Sequence, residues 1–373
     1  PFSNLINPIQ THVTLTFEYY CIFRHITISI AVKPCFIKKS TALLVLSLFA
    51  GVVSAQSESS LVAGKYGEVE GQKVQKVLSA GKVADVLLIA LAPEKLLGVS
   101  SELPKKGMPY FSEQVQKFEV TGRLAGRGST APLEKLVALK PDIIVDVGSV
   151  SKSYLATAER VNQQTQLPFV LVDGKFPQTA QQIREVAKLI GSEEKGEKLA
   201  TYAEKVLALT ENSVRNEKQP VSVYFARGAD GLETGLAGSI HGEVLDWVGL
   251  KNVADVAGEK KIARVSMEQL LQWQPSVILT HDKNFYELLK TADVWQQLSA
   301  VKNKQFYLVP AEPFGWLDQP PSVNRLLGAV WLAHHFAAEK VDAKQYAMLI
   351  NDYFALFYGH QLDQKAQAKF GIK

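Results

Sequence analysis

Arginines beside glycines are the residues of this chain best suited to chemistry, because together they can hold an anion. One such stretch is Gly122-Arg123-Leu124-Ala125-Gly126-Arg127-Gly128-Ser129-Thr130, directly ahead of a short helical pattern. N–H groups at a helix start carry partial positive charge, and Arg123 and Arg127 would add full charges. The loop reads either as an anion-holding turn with Arg127 as a contact or as a flexible turn with solvated arginines. Gly126-x-Gly128-x-x-Ala131 has the outline of a dinucleotide fingerprint. Pro132 follows at once, however, and the surroundings do not match the fingerprint's strand-to-helix context, so nucleotide binding is disfavoured. A second stretch, Tyr224-Phe225-Ala226-Arg227 and its glycine-rich continuation to His241, leaves a strand and enters a helix. Loops beyond strand carboxyl ends are where open α/β sheets bind ligands, which nominates Arg227 as a fixed cationic fork. His241 is nominated with it, or else simply begins a helix.

A third stretch, Pro313-Phe314-Gly315-Trp316-Leu317-Asp318-Gln319-Pro320-Pro321, is rigid and aromatic. Trp316 offers apolar area and an N–H donor for a cleft wall, or else plugs the core. Tyr110 and Arg264 are weaker candidates for the rim. The remaining histidines His281, His334, His335 and His360 form neither an HxxxH nor an HExxH pattern, and no Gly-x-Ser-x-Gly elbow occurs. Neither a bare metal site, nor a resident cofactor, nor a catalytic nucleophile is expected. An already coordinated metal or an oxyanion suits arginines, amides and aromatics better.

The elements that must position these residues follow from periodicity. Short apolar runs at 96–99, 143–146, 169–172, 222–225, 277–280 and 306–309 alternate with helix-length intervals, predicting an α/β fold with parallel strands. Residues 179–216 contain no proline, and Gly191 divides them into two helices. The second, spanning 192–217, would extend roughly 37 Å at about 1.5 Å per residue and bridge two lobes. Most informative is an internal repeat: residues 133–145 align without gaps on 267–279. In each copy a glutamate, Glu134 or Glu268, opens a short amphipathic helix. Pro141 or Pro275 stands seven residues later, and a buried strand follows. Ser266 and Gln269 are spaced as a capping box. A lone acid in a first helical turn complements the macrodipole, but that does not require one at the matched place in both copies.

The N-terminal part reads as a targeting segment. Lys38 and Lys39 precede the apolar run 41–53, too short for a membrane span, and Val53-Ser54-Ala55 is a small-residue cleavage signature. Cleavage is expected after Ala55, with residues 1–36 also outside the mature protein and initiation near Ile37. Without residues 1–55, 37 basic side chains face 36 acidic ones, so the formal charge of +4 belongs mostly to the export segment and gives no reason to expect nucleic acid. Cys21 and Cys35 leave with it, which excludes disulfides and thiol catalysis from the mature chain. The expected organisation is 1–55 non-mature, 56–191 first lobe, 192–217 bridging helix and 218–373 second lobe.

The repeat segments, with Gly238-Ser239-Ile240-His241-Gly242-Glu243-Val244-Leu245 and Gly249-Leu250-Lys251-Asn252-Val253-Ala254, resemble the helix-linked class of periplasmic substrate-binding proteins of ABC importers. That class includes the ferric-siderophore, haem and vitamin B12 binders, and the likeness spans about residues 74–359. It implies two α/β lobes with central parallel sheets, joined by one long helix and closing modestly on a ligand. It also implies a monomer that delivers its ligand to an inner-membrane permease with a cytoplasmic ATPase. Glu134 and Glu268 match the glutamates that dock onto permease arginines in that class. Ferric siderophore is the first ligand it implies, then molybdate or tungstate, then haem and cobalamin. Chelatase-like enzymes share related lobes and form the alternative of another class.

Overall fold

The computed structural model describes residues 59–124, 129–256 and 258–372. The expected export segment, the cleavage after Ala55 and Arg127 lie outside the described residues.

The chain begins with strand β1 (Val62–Tyr66), β2 (Val77–Ser79) and helix α1 (Lys82–Leu91). It continues through α2 (Leu133–Leu139), β3 (Ile143–Gly148), α3 (Lys152–Thr165) and β4 (Phe169–Asp173). These strands form one sheet in the order β1-β4-β3-β2, parallel except for β1. Helices α4 (Thr179–Ile190) and α5 (Glu193–Thr210) follow, and Gly191, in the left-handed region at φ 64°, separates them. After them come β5 (Ser222–Ala226), β6 (Glu233–Gly235), α6 (Glu243–Val248), β7 (Lys251–Asn252) and β8 (Ile262–Arg264). The chain then forms α7 (Met267–Trp273), β9 (Val277–Thr280), α8 (Lys283–Thr291), β10 (Phe306–Leu308), α9 (Arg325–Phe336) and α10 (Ala343–Tyr358). A second, all-parallel sheet has the order β10-β9-β5-β7, while β6 and β8 pair as a small antiparallel ribbon. The architecture is α/β with two lobes.

The repeat is reproduced residue for residue. Helices α2 and α7 are each seven residues long and bury Leu136 and Leu270 completely. Each stops at a left-handed residue, Lys140 at φ 48° or Gln274 at φ 41°, and the prolines that follow prevent continuation. The expected capping box is present at Ser266 and Gln269, whereas Pro132 begins α2 without a side-chain cap.

Two expectations need correction. Residues 96–99 form no strand: Leu96 and Val99 make isolated bridges to Val77 and Val120. Gly98 between them sits at φ 151°, outside the strand region, which interrupts the ladder, and a Cβ there would lie 2.6 Å from the Glu119 carbonyl oxygen, so the position requires glycine. The helix expected over 192–217 is 18 residues, ending at Thr210, or roughly 27 Å. Asn212 takes φ 48°, and the Asn212 and Val214 N–H groups donate to the carbonyls of Trp247 and Val248, diverting the chain along α6.

One hydrophobic core runs through both sheets and α5, α9 and α10, with a smaller cluster on the outer side of each lobe. Helix α10 packs against α1 as well as α5, so the lobes meet over more than one helix. Arg325, fully buried at the start of α9, pins them together. Its guanidinium donates to the carbonyl of Gly174 at 2.7 Å, to that of Ile240 at 2.9 Å and to Glu243 at 3.1 Å. Glu243 in turn accepts the Phe176 N–H at 2.8 Å. No helix among the described residues is long and apolar enough to cross a membrane.

Candidate functional site: an inter-lobe cleft

The carboxyl ends of the strands in both sheets open onto one cavity of about 570 Å³, where ligands bind in open α/β sheets. The first lobe contributes the start of α1, with Lys82 and Asp85, the end of β3 with Asp146, Tyr154 of α3, and Arg123. Arg123 is held there because the next residue, Leu124, donates its N–H to the Ala80 carbonyl at 2.9 Å, beside the α1 start. Gly81 begins α1 with no side-chain cap, and Gly81, Lys82 and Val83 at this helix start line the cleft. The second lobe contributes Arg227, which directly follows β5, together with His241, Phe314 and Asp318. A neighbouring space of about 650 Å³ shares Gly148, Ser149 and His241 and extends to Lys175, Lys260 and Lys261.

Arg227 and His241 are organised by Asp318, whose side chain is fully buried. Arg227 Nη1 donates to it, and Arg227 Nε lies 3.4 Å from Glu233. His241 Nδ1 stands 3.0 Å from Asp318, so the carboxylate orients the ring. Burial alone would raise the Asp318 pKa. The His241 hydrogen bond and charge, with Arg227, outweigh that and hold it below the usual 3.8. The surrounding loop is tied down: Asn324 Nδ2 donates to the Pro320 carbonyl at 2.9 Å, and the Leu317 N–H to His281 Nε2 at 3.2 Å. Burial pushes His281 down to about 4, keeping it neutral and able to accept that bond.

The first-lobe carboxylates are treated differently. Asp85 accepts the Ser100 N–H at 3.0 Å and the Ser100 hydroxyl at 2.6 Å, and burial raises it to about 6. Asp146 is 5 % exposed and has no ion-pair partner among the described residues. Burial pushes it up to about 7; the Val147 N–H pulls it down and the Asp85 charge adds to the rise.

Of the residues nominated from sequence, Arg227 and His241 meet in the cleft. Three others lie elsewhere. Tyr110 is buried, its hydroxyl donating to Glu312 at 3.2 Å and its ring against Phe354 and Phe370. Trp316, 0 % exposed, packs on Phe370 and donates Nε1–H to the Glu312 carbonyl at 3.0 Å, the core role. Arg264, 64 % exposed, is captured by Asp230 in the turn after β5. Glu134 and Glu268 are exposed in the first turns of α2 and α7, outside the cleft lining. Sequence reasoning missed Lys82, Asp85, Asp146, Tyr154 and Asp318. Asp146 had a signal: extending the repeat by one position pairs it with Thr280, a carboxylate within an otherwise apolar buried strand. Among the described residues no group of three or more His, Cys, Asp or Glu side chains is placed to hold a metal ion.

A family model described as periplasmic binding protein matches residues 88–313. The molybdate-binding protein MolA of Haemophilus influenzae is 26 % identical over 296 residues, covering 72 % of this chain and 81 % of the relative. The Fe(3+)-citrate-binding protein YfmC of Bacillus subtilis is 26 % identical over 186 residues, 49 % of this chain and 58 % of the relative. Among solved structures, an ABC transporter solute binding protein from Sulfurospirillum deleyianum superimposes with a TM-score of 0.71 at 26 % identity, covering 80 % of this chain and 94 % of that one.

Proposed function

The chain belongs to the periplasmic binding protein family, and from that premise we propose that it captures a compact, metal-centred anion of the molybdate class in the inter-lobe cleft for an ABC importer. The observation that carries this reading is the convergence of Lys82, Arg123, Arg227 and the uncapped start of α1 on one cavity. Such a constellation suits an acceptor-only ligand. The order of ligands is thereby changed from the one expected from sequence, where ferric siderophore came first. Trp316, nominated from sequence for the cleft wall, is in the core. The name of the Haemophilus relative supports the oxyanion. A ferric complex of a small carboxylate chelator is the second reading, favoured by a cavity of about 570 Å³, larger than a tetrahedral oxyanion fills, and by the name of the Bacillus relative.

Calorimetric titration with molybdate, tungstate, sulfate, ferric citrate and a ferric siderophore tests it. Tight molybdate or tungstate binding supports the first reading, and binding of ferric citrate or the siderophore with no oxyanion heat supports the chelate. Silence from all of them removes the proposal.

Glu134 and Glu268 are proposed as contacts for the permease, one on each lobe. The charge reversals Glu134→Lys and Glu268→Lys together are expected to abolish uptake in reconstituted vesicles while ligand affinity stays as it was, because charge pairs set register at an interface. Unchanged uptake would remove the docking role. Export through cleavage after Ala55 is part of the same proposal, and N-terminal sequencing of the secreted protein checks it.

A further inference from the structure

An anion-binding cleft lined by a buried carboxyl that has no ion-pair partner among the described residues is an electrostatic contradiction, and Asp146 presents it. It lines the cavity from β3 and is 5 % exposed. We infer that the cleft takes up its anion together with one proton, carried on the Asp146 carboxyl, which then donates a hydrogen bond to the ligand. This rests on the anionic reading above and names the residue that sets its proton balance and its preference for acceptor-only ligands.

Among the described residues no cation pairs with Asp146, and the groups facing it are engaged as follows. From α1, Asp85 adds negative charge, and the Lys82 charge acts on Asp85. From α3, the Tyr154 hydroxyl is neutral and is itself pushed upward by burial and by Asp146. Across the cavity, Arg227 and His241 are already engaged by Asp318, and Arg123 stands on the loop beside α1. Asp85 differs from Asp146 in being satisfied by the Ser100 N–H and hydroxyl, so it keeps a structural role. A carboxyl that burial pushes up to about 7 holds its proton more tightly once an anion lies beside it. Binding therefore takes up a proton above that pH, and affinity falls as the pH rises, by up to about tenfold per unit, flattening below about 7.

The experiment is calorimetric titration of the protein with molybdate, and separately with ferric citrate, between about pH 6 and pH 9 in two buffers of different protonation heat. The buffer dependence is expected to report uptake of up to one proton near pH 8, with affinity declining towards pH 9. Asp146→Asn retains a donor of the same shape and is expected to abolish the uptake and flatten the pH profile. Asp146→Ser repeats the test with a smaller donor should the first variant fold poorly. The carboxyl carbon shift of Asp146 in the free protein supplies a readout without ligand. Binding with no proton uptake, an unchanged profile in both variants, or titration of Asp146 in the ordinary carboxylate range would overturn this inference alone. If no anion binds at any pH, the proposed function falls, and this inference with it.

Discussion

The two walls of the cleft are built from the same helix-proline-strand unit, yet they treat buried carboxylates in opposite ways. In the second lobe Asp318 is surrounded by Arg227 and His241 and stays ionised. In the first, Asp146 has no cation within ion-pair distance among the described residues and is raised to about 7. Identical backbone scaffolding therefore does not dictate the charge of the site. What dictates it is which loops each lobe brings over its strand ends. The second lobe folds the rigid 313–324 segment inward with Asp318 on it, and the first offers the uncapped start of α1 and Arg123.

The comparison can be broken from either side. The largest effect is expected for Asp318→Asn. Removing that charge leaves the buried Arg227 with Glu233, at 3.4 Å, as its carboxylate contact among the described residues, and a loss of about 2–3 kcal/mol is expected at neutral pH by urea unfolding. Because the Asp318 pKa is depressed, its contribution is present above the unfolded value of 3.8 and lost as pH falls through the lower folded value. The deficit of the variant should accordingly shrink in acid.

Asp146→Asn should behave with the opposite sign. A carboxyl raised to about 7 favours folding when protonated, and that contribution is lost as pH rises from 3.8 through about 7. The variant is therefore expected to melt above the parent protein at about pH 8 and to lose that advantage towards pH 5, as scanning calorimetry would show. A variant less stable than the parent at both would place Asp146 in the same class as Asp318 and end the contrast.

The smallest effect concerns the repeat itself. Ser266→Ala removes the capping box of α7 and is expected to lower stability by about 1 kcal/mol in urea. Pro132, at the equivalent place before α2, has no side-chain cap to lose, so Pro132→Ala should cost less. Equal losses would mean that the two helix starts are less different than their hydrogen bonds indicate.

The repeat was legible in the sequence because everything that makes it is local: a four-residue apolar spacing, a proline that stops the helix, and an unbroken buried strand. Strands β1, β2, β6, β7 and β8 were not, since none of them is an unbroken apolar run of four residues and their pairing partners lie far along the chain. Arg227 and His241, which line the cleft, could be nominated because a glycine-rich loop after a strand is itself a local signal. Trp316 and Tyr110 were misplaced for the converse reason: an aromatic residue between prolines has the same local appearance whether it lines a cleft or fills a core.

By itself, then, the sequence determined the α/β alternation, the twin Glu-to-Pro units and a cleft at the strand ends, all consequences of periodicity and backbone stereochemistry. Only the tertiary structure decided which carboxylates are charged. Asp318 meets Arg227 across 91 residues of chain and His241 across 77, whereas Asp146 meets no cation among the described residues. The energy of a buried charge depends on partners that no nearby residue announces.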